Sequence, residues 1–195
     1  MRAIRTEDSP IDSNLTYSNL LYNRFNQPVT GINYYEAQAY CSWLNWQEKF
    51  RDKFIIRMPT QTEWMSAMTN YGTSKYPWGE ALPSPAIVNL INERKKNKDK
   101  LDLEDLAKIN IPSIYGIHPN GSNNNGVHDL IGNIWEWVED FAKDHEIDDK
   151  GNKGKIMGNC CFDPPSRVEY PPLTYRYPGY RHHVIGFRLV REEIR

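Results

Sequence analysis

The sequence predicts an α+β domain with two helices, several short antiparallel strands and long ordered loops. Three observations predict it. Two segments place apolar residues at helical spacing directly behind a capping box. Four short runs rich in aromatic and β-branched residues read as strands. The stretches between them are crowded with Pro, Gly and Asn. At 195 residues, with no linker and no internal repeat, the chain reads as a single domain spanning 1–195.

Residues 1–30 are polar and Asn/Ser-rich and read as an extended arm, with a short strand or turn near 20–25. The first helix lies in "NYYEAQAYCSWLNWQEKF". Asn33 caps it, and Glu36 reaches back to the Asn33 amide. Ala37, Tyr40, Cys41 and Leu44 fall on one helical face. "FIIRMP" reads as a strand over 54–58. The second helix lies in "PTQTEWMSAMTNYG". Thr60 is its cap, Glu63 the box partner, Trp64, Ala67, Met68 and Tyr71 the apolar stripe, and Gly72 the stop. "KYPWGEALPSPAIVNL" is loop. Residues 91–111 mix both signs of charge and read as a solvated insertion that admits a short helix in "LDLEDLAKI". "HPNGSNNNG" is a turn cluster, "IGNIWEWVED" a strand with buried Trp, and "DHEIDDKGNKGK" an exposed loop. "KIMGN" and "HVIGFRLVR" read as closing strands, the second burying Val184, Ile185, Phe187 and Leu189.

Bulk composition narrows the function. A formal net charge of −1 supplies no global basic field for nucleic acid. No apolar run approaches the roughly 20 residues needed to cross a bilayer. No secretory signal follows Met1, so cytoplasmic residence is the default, with display on a virion or cell surface as the alternative. An odd count of cysteines (Cys41, Cys160, Cys161) argues against a disulfide scaffold, and Cys41 reads as core.

Read in order, "PVTGINYYEAQAYCSWL", "RMPTQTEWMSAM", "YPWG", "NGVHDLIGNIWEWVED" and "IGFRLVR" resemble the formylglycine-generating enzyme (sulfatase-modifying factor) family, a branch of the C-type-lectin-like folds. The resemblance runs from about Pro28 to Arg191 and implies that fold.

The resemblance also sets a chemical expectation, and the residues depart from it. Family enzymes that make formylglycine hold copper through a spaced pair of cysteines just after a "GGSW"-like motif, where soft thiolates suit Cu(I). Here the matching motif is "GNCC". Cys160 and Cys161 are adjacent, and no cysteine follows. Read as strand neighbours, they point to opposite faces. Sulfoxide-synthase relatives hold iron with a histidine triad completed by a separate helical domain. In this chain His118, His128 and His145 lie in separate loops, and the adjacent His182 and His183 read as facing opposite ways. There is no nucleotide-binding glycine motif. Glu136 and Glu139 flank Trp137 and read as structural carboxylates. No catalytic residue is assigned, and the chain reads as a non-enzyme. The alternative is a copper-dependent oxidoreductase or a degenerate relative of one.

Calcium is the one cofactor that the resemblance implies for residues present here. One family site falls on Asn123, Asn124, Gly126 and His128. A second falls on Asn89 and Leu90, with Asp105 and Ala107 as weaker matches. Carbonyl and carboxamide oxygens suit that hard cation. The competing reading is that the asparagines only build turns.

The same fold serves the variable proteins of diversity-generating retroelements, whose last segment displays hypervariable side chains for ligand binding. Here that segment is 158–191. It carries Phe162, Asp163, Ser166, Arg167, Tyr170, Thr174, Tyr175, Arg176, Tyr177, Tyr180, His182 and His183. Tyr and Arg give large contact at low entropic cost. Pro164, Pro165, Pro171, Pro172 and Pro178 limit the ordering that binding would require. The expectation is a ligand-binding protein with a protein or other surface partner, neither nucleic acid nor a membrane span. An accessory protein-interaction domain is the second alternative.

Overall fold

The computed structural model describes residues 25–47, 53–90, 111–142, 152–168 and 170–194. The arm up to residue 24, most of the charged insertion and the loop 143–151 lie outside the described residues. So do residues 20–24 of the strand or turn expected near 20–25 (Phe25 is described, in a turn), the helix in "LDLEDLAKI" and the weaker calcium matches.

Helix α1 spans Tyr34–Trp46. Asn33 Oδ1 accepts the Glu36 amide at 2.9 Å, and the Glu36 carboxylate accepts the Asn33 amide at 3.1 Å. The predicted box is therefore formed. Its buried face is Tyr34, Ala37 and Cys41; Tyr40 is 45% exposed instead, its ring edge-on to Phe187. Strand β1 is Phe54–Arg57. Helix α2, Gln61–Met68, begins with the Thr60–Glu63 box. Arg57 clamps the Glu63 carboxylate from the other side with two bonds of 2.7 Å, which holds that acid at about 2. The helix stops earlier than its apolar stripe predicts. Asn70, Tyr71 and Gly72 all take positive φ, and this left-handed run swings Tyr71 into solvent at 75% exposure.

Strand β2 is Trp135–Phe141, β3 is Gly154–Met157, β4 is Leu173–Arg176, β5 is Ile185–Phe187 and β6 is Val190–Glu193. Four form a sheet in the order β4-β3-β2-β5, and β1 pairs with β6 in a separate two-stranded sheet. The larger sheet is mixed: β2–β3 and β3–β4 are antiparallel, but β2–β5 is parallel. "HVIGFRLVR" is two strands rather than one. The chain leaves the four-stranded sheet after Phe187 and enters the other at Val190, so Leu189 is 40% exposed at the crossing.

Alternation along β2 and β3 builds two cores. Trp137 and Ile156 face α1 with Tyr34, Ala37, Cys41 and Ile185. Val138 and Met157 face α2 with Trp64, Met68 and Leu130. The helices thus cover opposite faces of one sheet. Trp137 is fully buried and its indole N–H donates to Ile32 O at 2.9 Å. Gly154 makes room for it, since a Cβ there would lie 2.9 Å from the Trp137 ring.

Candidate functional site

β3 ends where the candidate segment begins. Gly158 takes φ 113, a conformation open to glycine, and turns the chain out of the sheet. Cys160 and Cys161 follow in a turn, not in a strand, so strand alternation does not separate them. Both are buried in one small cluster with Val184. Both are free thiols. Burial first, and then the Asp163 carboxylate, pushes the Cys160 thiol up to about 12; burial also pushes Cys161 up. Such thiols stay protonated and are poor metal ligands or nucleophiles.

The residues proposed from sequence as a binding surface divide into groups. Asp163 turns inward, its carboxylate accepting the Cys160 amide at 2.8 Å. Phe162 packs half-buried on the cysteine cluster and meets the His183 ring edge-on at 5.4 Å. His182 and His183 stack at 4.2 Å. Sequence adjacency suggested opposite directions; they sit in a turn, closed by the Ile185 amide on His182 O at 2.9 Å, which aligns the rings. Tyr180 continues the ladder, parallel to His182 at 6.2 Å, with the Arg176 guanidinium 5.7 Å from its ring. Burial, and then the Arg176 charge, lower the His182 pKa. The ladder Phe162–His183–His182–Tyr180–Arg176 is thus continuous.

Tyr170, Tyr175 and Tyr177 lie along β4 and its flanks, outside the ladder. Each has a cation near its ring: Lys75 at 5.8 Å, Lys155 at 6.0 Å and Lys153 at 5.5 Å respectively. Those three lysines are the residues the sequence reading missed. Only the β3–β4 register and the loop after α2 bring them here. Thr174 lies on β4 opposite Ile156. Ser166 and Arg167 are exposed on a 3-10 turn, Pro165–Arg167.

The carboxylates flanking Trp137 are structural. Glu136 is buried, bonded to Arg188 Nε at 2.5 Å and Nη2 at 2.6 Å and to Trp64 Nε1 at 2.8 Å. Glu139 is exposed, 3.7 Å from Arg57. Beside the Glu136–Arg188 pair lies a cavity of about 460 Å³ lined by Tyr115, His128, Asp129 and Phe187 among others.

The oxygens named for calcium have internal uses. Asn123 Oδ1 accepts the amides of Asn125 and Val127, both at 2.9 Å, and its amide group donates to Ala67 O. Gly126 closes the same turn on Asn123 O, and the Asn124 amide donates to Asn70. His128 O accepts from Arg188. Asn89 O accepts the Asn133 amide, its side chain donates to Ile111 O and Asn133, and Leu90 is buried core. These hydrogen bonds build the turn at Asn123 and tie Asn89 to Asn133, the reading that competes with calcium. Among the described residues, no three His, Cys, Asp or Glu side chains group to hold a metal, and no helix is long and apolar enough to cross a membrane.

The model of one protein family, described as "Sulfatase-modifying factor enzyme 1-like domain", matches residues 4–193. Hercynine oxygenase of Mycolicibacterium thermoresistibile is 28% identical over 117 residues, 58% of this chain and 21% of that protein. Inactive C-alpha-formylglycine-generating enzyme 2 of Bos taurus is 30% identical over 116 residues, 57% of this chain and 32% of that one. The chain therefore spans between a fifth and a third of these relatives' length. The solved Treponema denticola variable protein 1 superposes with a TM-score of 0.62 at 16% identity, covering 84% of this chain and 70% of the other. The expected fold is the observed one.

Proposed function

We propose that this chain, which belongs to the sulfatase-modifying factor enzyme 1-like family, is a non-catalytic ligand-binding protein of the retroelement variable type. One observation carries the reading. Family enzymes keep a spaced pair of reactive thiols just after the "GGSW"-like motif; this chain has no cysteine there, its two cysteines lie inside the matching "GNCC" motif, buried and protonated, and the segment that follows carries a continuous ring ladder. The fold is shared with a variable protein, and an inactive formylglycine-generating enzyme is among the relatives. Both fit a scaffold that has exchanged chemistry for recognition.

The binding residues are the ladder (Phe162, His182, His183, Tyr180, Arg176) and the β4 tyrosines (Tyr170, Tyr175, Tyr177). Rings held by stacking and by proline-limited backbone lose little entropy when a partner docks.

Two measurements test this. Thiol labelling at pH 8 leaves Cys160 and Cys161 unmodified in the native chain and modifies both in urea, and the chain takes up no stoichiometric Cu(I). Copper uptake abolished by Cys160→Ser would restore the oxidoreductase reading. Sequencing the gene's neighbourhood tests the subtype: a reverse-transcriptase gene and a template repeat of the last coding segment are expected, and their absence overturns the retroelement assignment.

A further inference from the structure

The span that carries two rings of the ladder is docked on the start of α1. The Tyr34 amide, at the first residue of the helix, donates to Pro178 O at 3.0 Å, and the Gly31 amide donates to His182 O at 3.1 Å. Two turns flank the span. The Tyr180 amide closes one on Tyr177 O at 2.8 Å, and the Ile185 amide closes the other on His182 O at 2.9 Å. The anchor itself is firm, because Tyr34 is buried edge-on to Trp137 and its hydroxyl donates to Glu139 O at 2.9 Å.

Main-chain bonds at its two ends fix where the span lies, but they do not fix the rotation of the peptide planes between them. Tyr180 is itself packed half-buried on the core that holds Tyr34 and Ala37, whereas His182 lies outside that core. One side chain acts in the middle of the span. Arg181, between the two ladder residues, reaches the α1 cap: its Nη1 donates to Gly31 O at 3.3 Å and to the Glu36 carboxylate. The acceptor is Glu36 Oε2, the same oxygen that takes the Asn33 amide in the capping box. The two side chains are 14% and 31% exposed, so solvent screens the pair only in part. A charge-assisted bond in that setting holds its geometry more firmly than a neutral one. On the ladder itself the Tyr180 and His182 rings lie parallel within 13°.

We propose that Arg181 is a positioning residue for the binding surface: by bridging the span to the α1 capping box it holds His182 in register with Tyr180, and it acts through those rings rather than by touching the partner. This rests on the binding-surface reading and names what sets the geometry of that surface.

The test reads the free, isotope-labelled chain by NMR, through the ring contacts and the titration of His182. Burial first, and then the Arg176 charge, hold His182 below the ordinary imidazole value, so release of the ring from its stack raises it. Glu36→Gln is the decisive variant. Glutamine at that helix position still serves a capping box, so α1 keeps its cap. Loss of a carboxylate charge by itself lowers an imidazole pKa, whereas release of the ring raises it, so the two causes have opposite signs. The expected result is a rise, with loss of the Tyr180–His182 ring cross-peaks. The His182–His183 cross-peaks persist, because the Ile185 amide closes that turn independently. Arg181→Met gives the same pattern. Arg181→Lys keeps the native one, because a single nitrogen serves both acceptors and an ammonium can replace it. A fall in the His182 value in Glu36→Gln overturns the proposal. So do unchanged ring cross-peaks in Glu36→Gln and Arg181→Met while Tm drops, which leave only a stabilising ion pair. Arg181→Lys as disturbed as Arg181→Met overturns the bridge through that nitrogen. None of these readings involves a partner, so the positioning role can fail with the binding reading intact, and that reading is judged by the neighbourhood and copper measurements above.

Discussion

Glu136 satisfies three donors at once: two guanidinium nitrogens of Arg188 and the indole of Trp64. It was legible as a structural carboxylate because it interrupts an aromatic strand, but its partner lies 52 positions away and no local spacing names it. Removing the charge strands a buried guanidinium, so Glu136→Gln is expected to cost about 3–5 kcal/mol in urea unfolding. A double change, Glu136→Leu with Arg188→Met, recovers part of that, because removing both charges leaves neither unpaired. Equal loss in single and double variants would show that the pair is not the source. The histidine pair gives the opposite lesson about adjacency. Two neighbours face apart only in extended backbone, and the turn at His182 was not encoded by any Gly or Asn that sequence reasoning uses as a signal.

At the level of elements, both helices were legible to the cap, because a capping box is written within four consecutive residues. Asn33→Ala therefore removes one bond from the α1 terminus and is expected to cost about 1 kcal/mol by thermal unfolding, with Asn33→Ser nearly neutral. A loss equal for Ala and Ser would place the effect elsewhere. The helix stripes were less legible. Tyr40 and Tyr71 fit the period, yet amphipathic tyrosine tolerates the surface, and the left-handed turn after Met68 removes Tyr71 from the helix altogether. Strand β4 was not legible at all. Pro171 and Pro172 before it and Pro178 after it read as loop, and only pairing with β3 makes Leu173–Arg176 a strand. That pairing is also what gathers Lys153 and Lys155 beneath the tyrosines, so the charge of the surface was invisible for the same reason.

Across the whole molecule, a net charge of −1 does not reveal that, among the described residues, Lys75, Lys153, Lys155 and Arg176 each stand at a tyrosine ring, because charge counted along a chain carries no position. The calcium expectation belongs to this scale too, since a structural ion acts on global stability. An ion at a hundredfold over its Kd would add about 2.7 kcal/mol, a rise of roughly 5–10 °C at this chain length. With Asn123 and Asn89 engaged in their own turns, neither excess calcium nor a chelator is expected to move Tm by more than about 1 °C in scanning calorimetry. A rise of several degrees would assign these oxygens to the ion.

Strands β5 and β6, three residues apart, close both sheets. β2 receives β5 across some fifty residues, and β1 receives β6, with Arg57 opposite Val190. During synthesis, then, the larger sheet is not completed until residue 187, and the smaller until residue 193, has emerged from the ribosome. The aromatic strand β2 waits for β5 with Trp135 and Trp137 uncovered, and a chain halted before residue 185 has helices but no closed sheet.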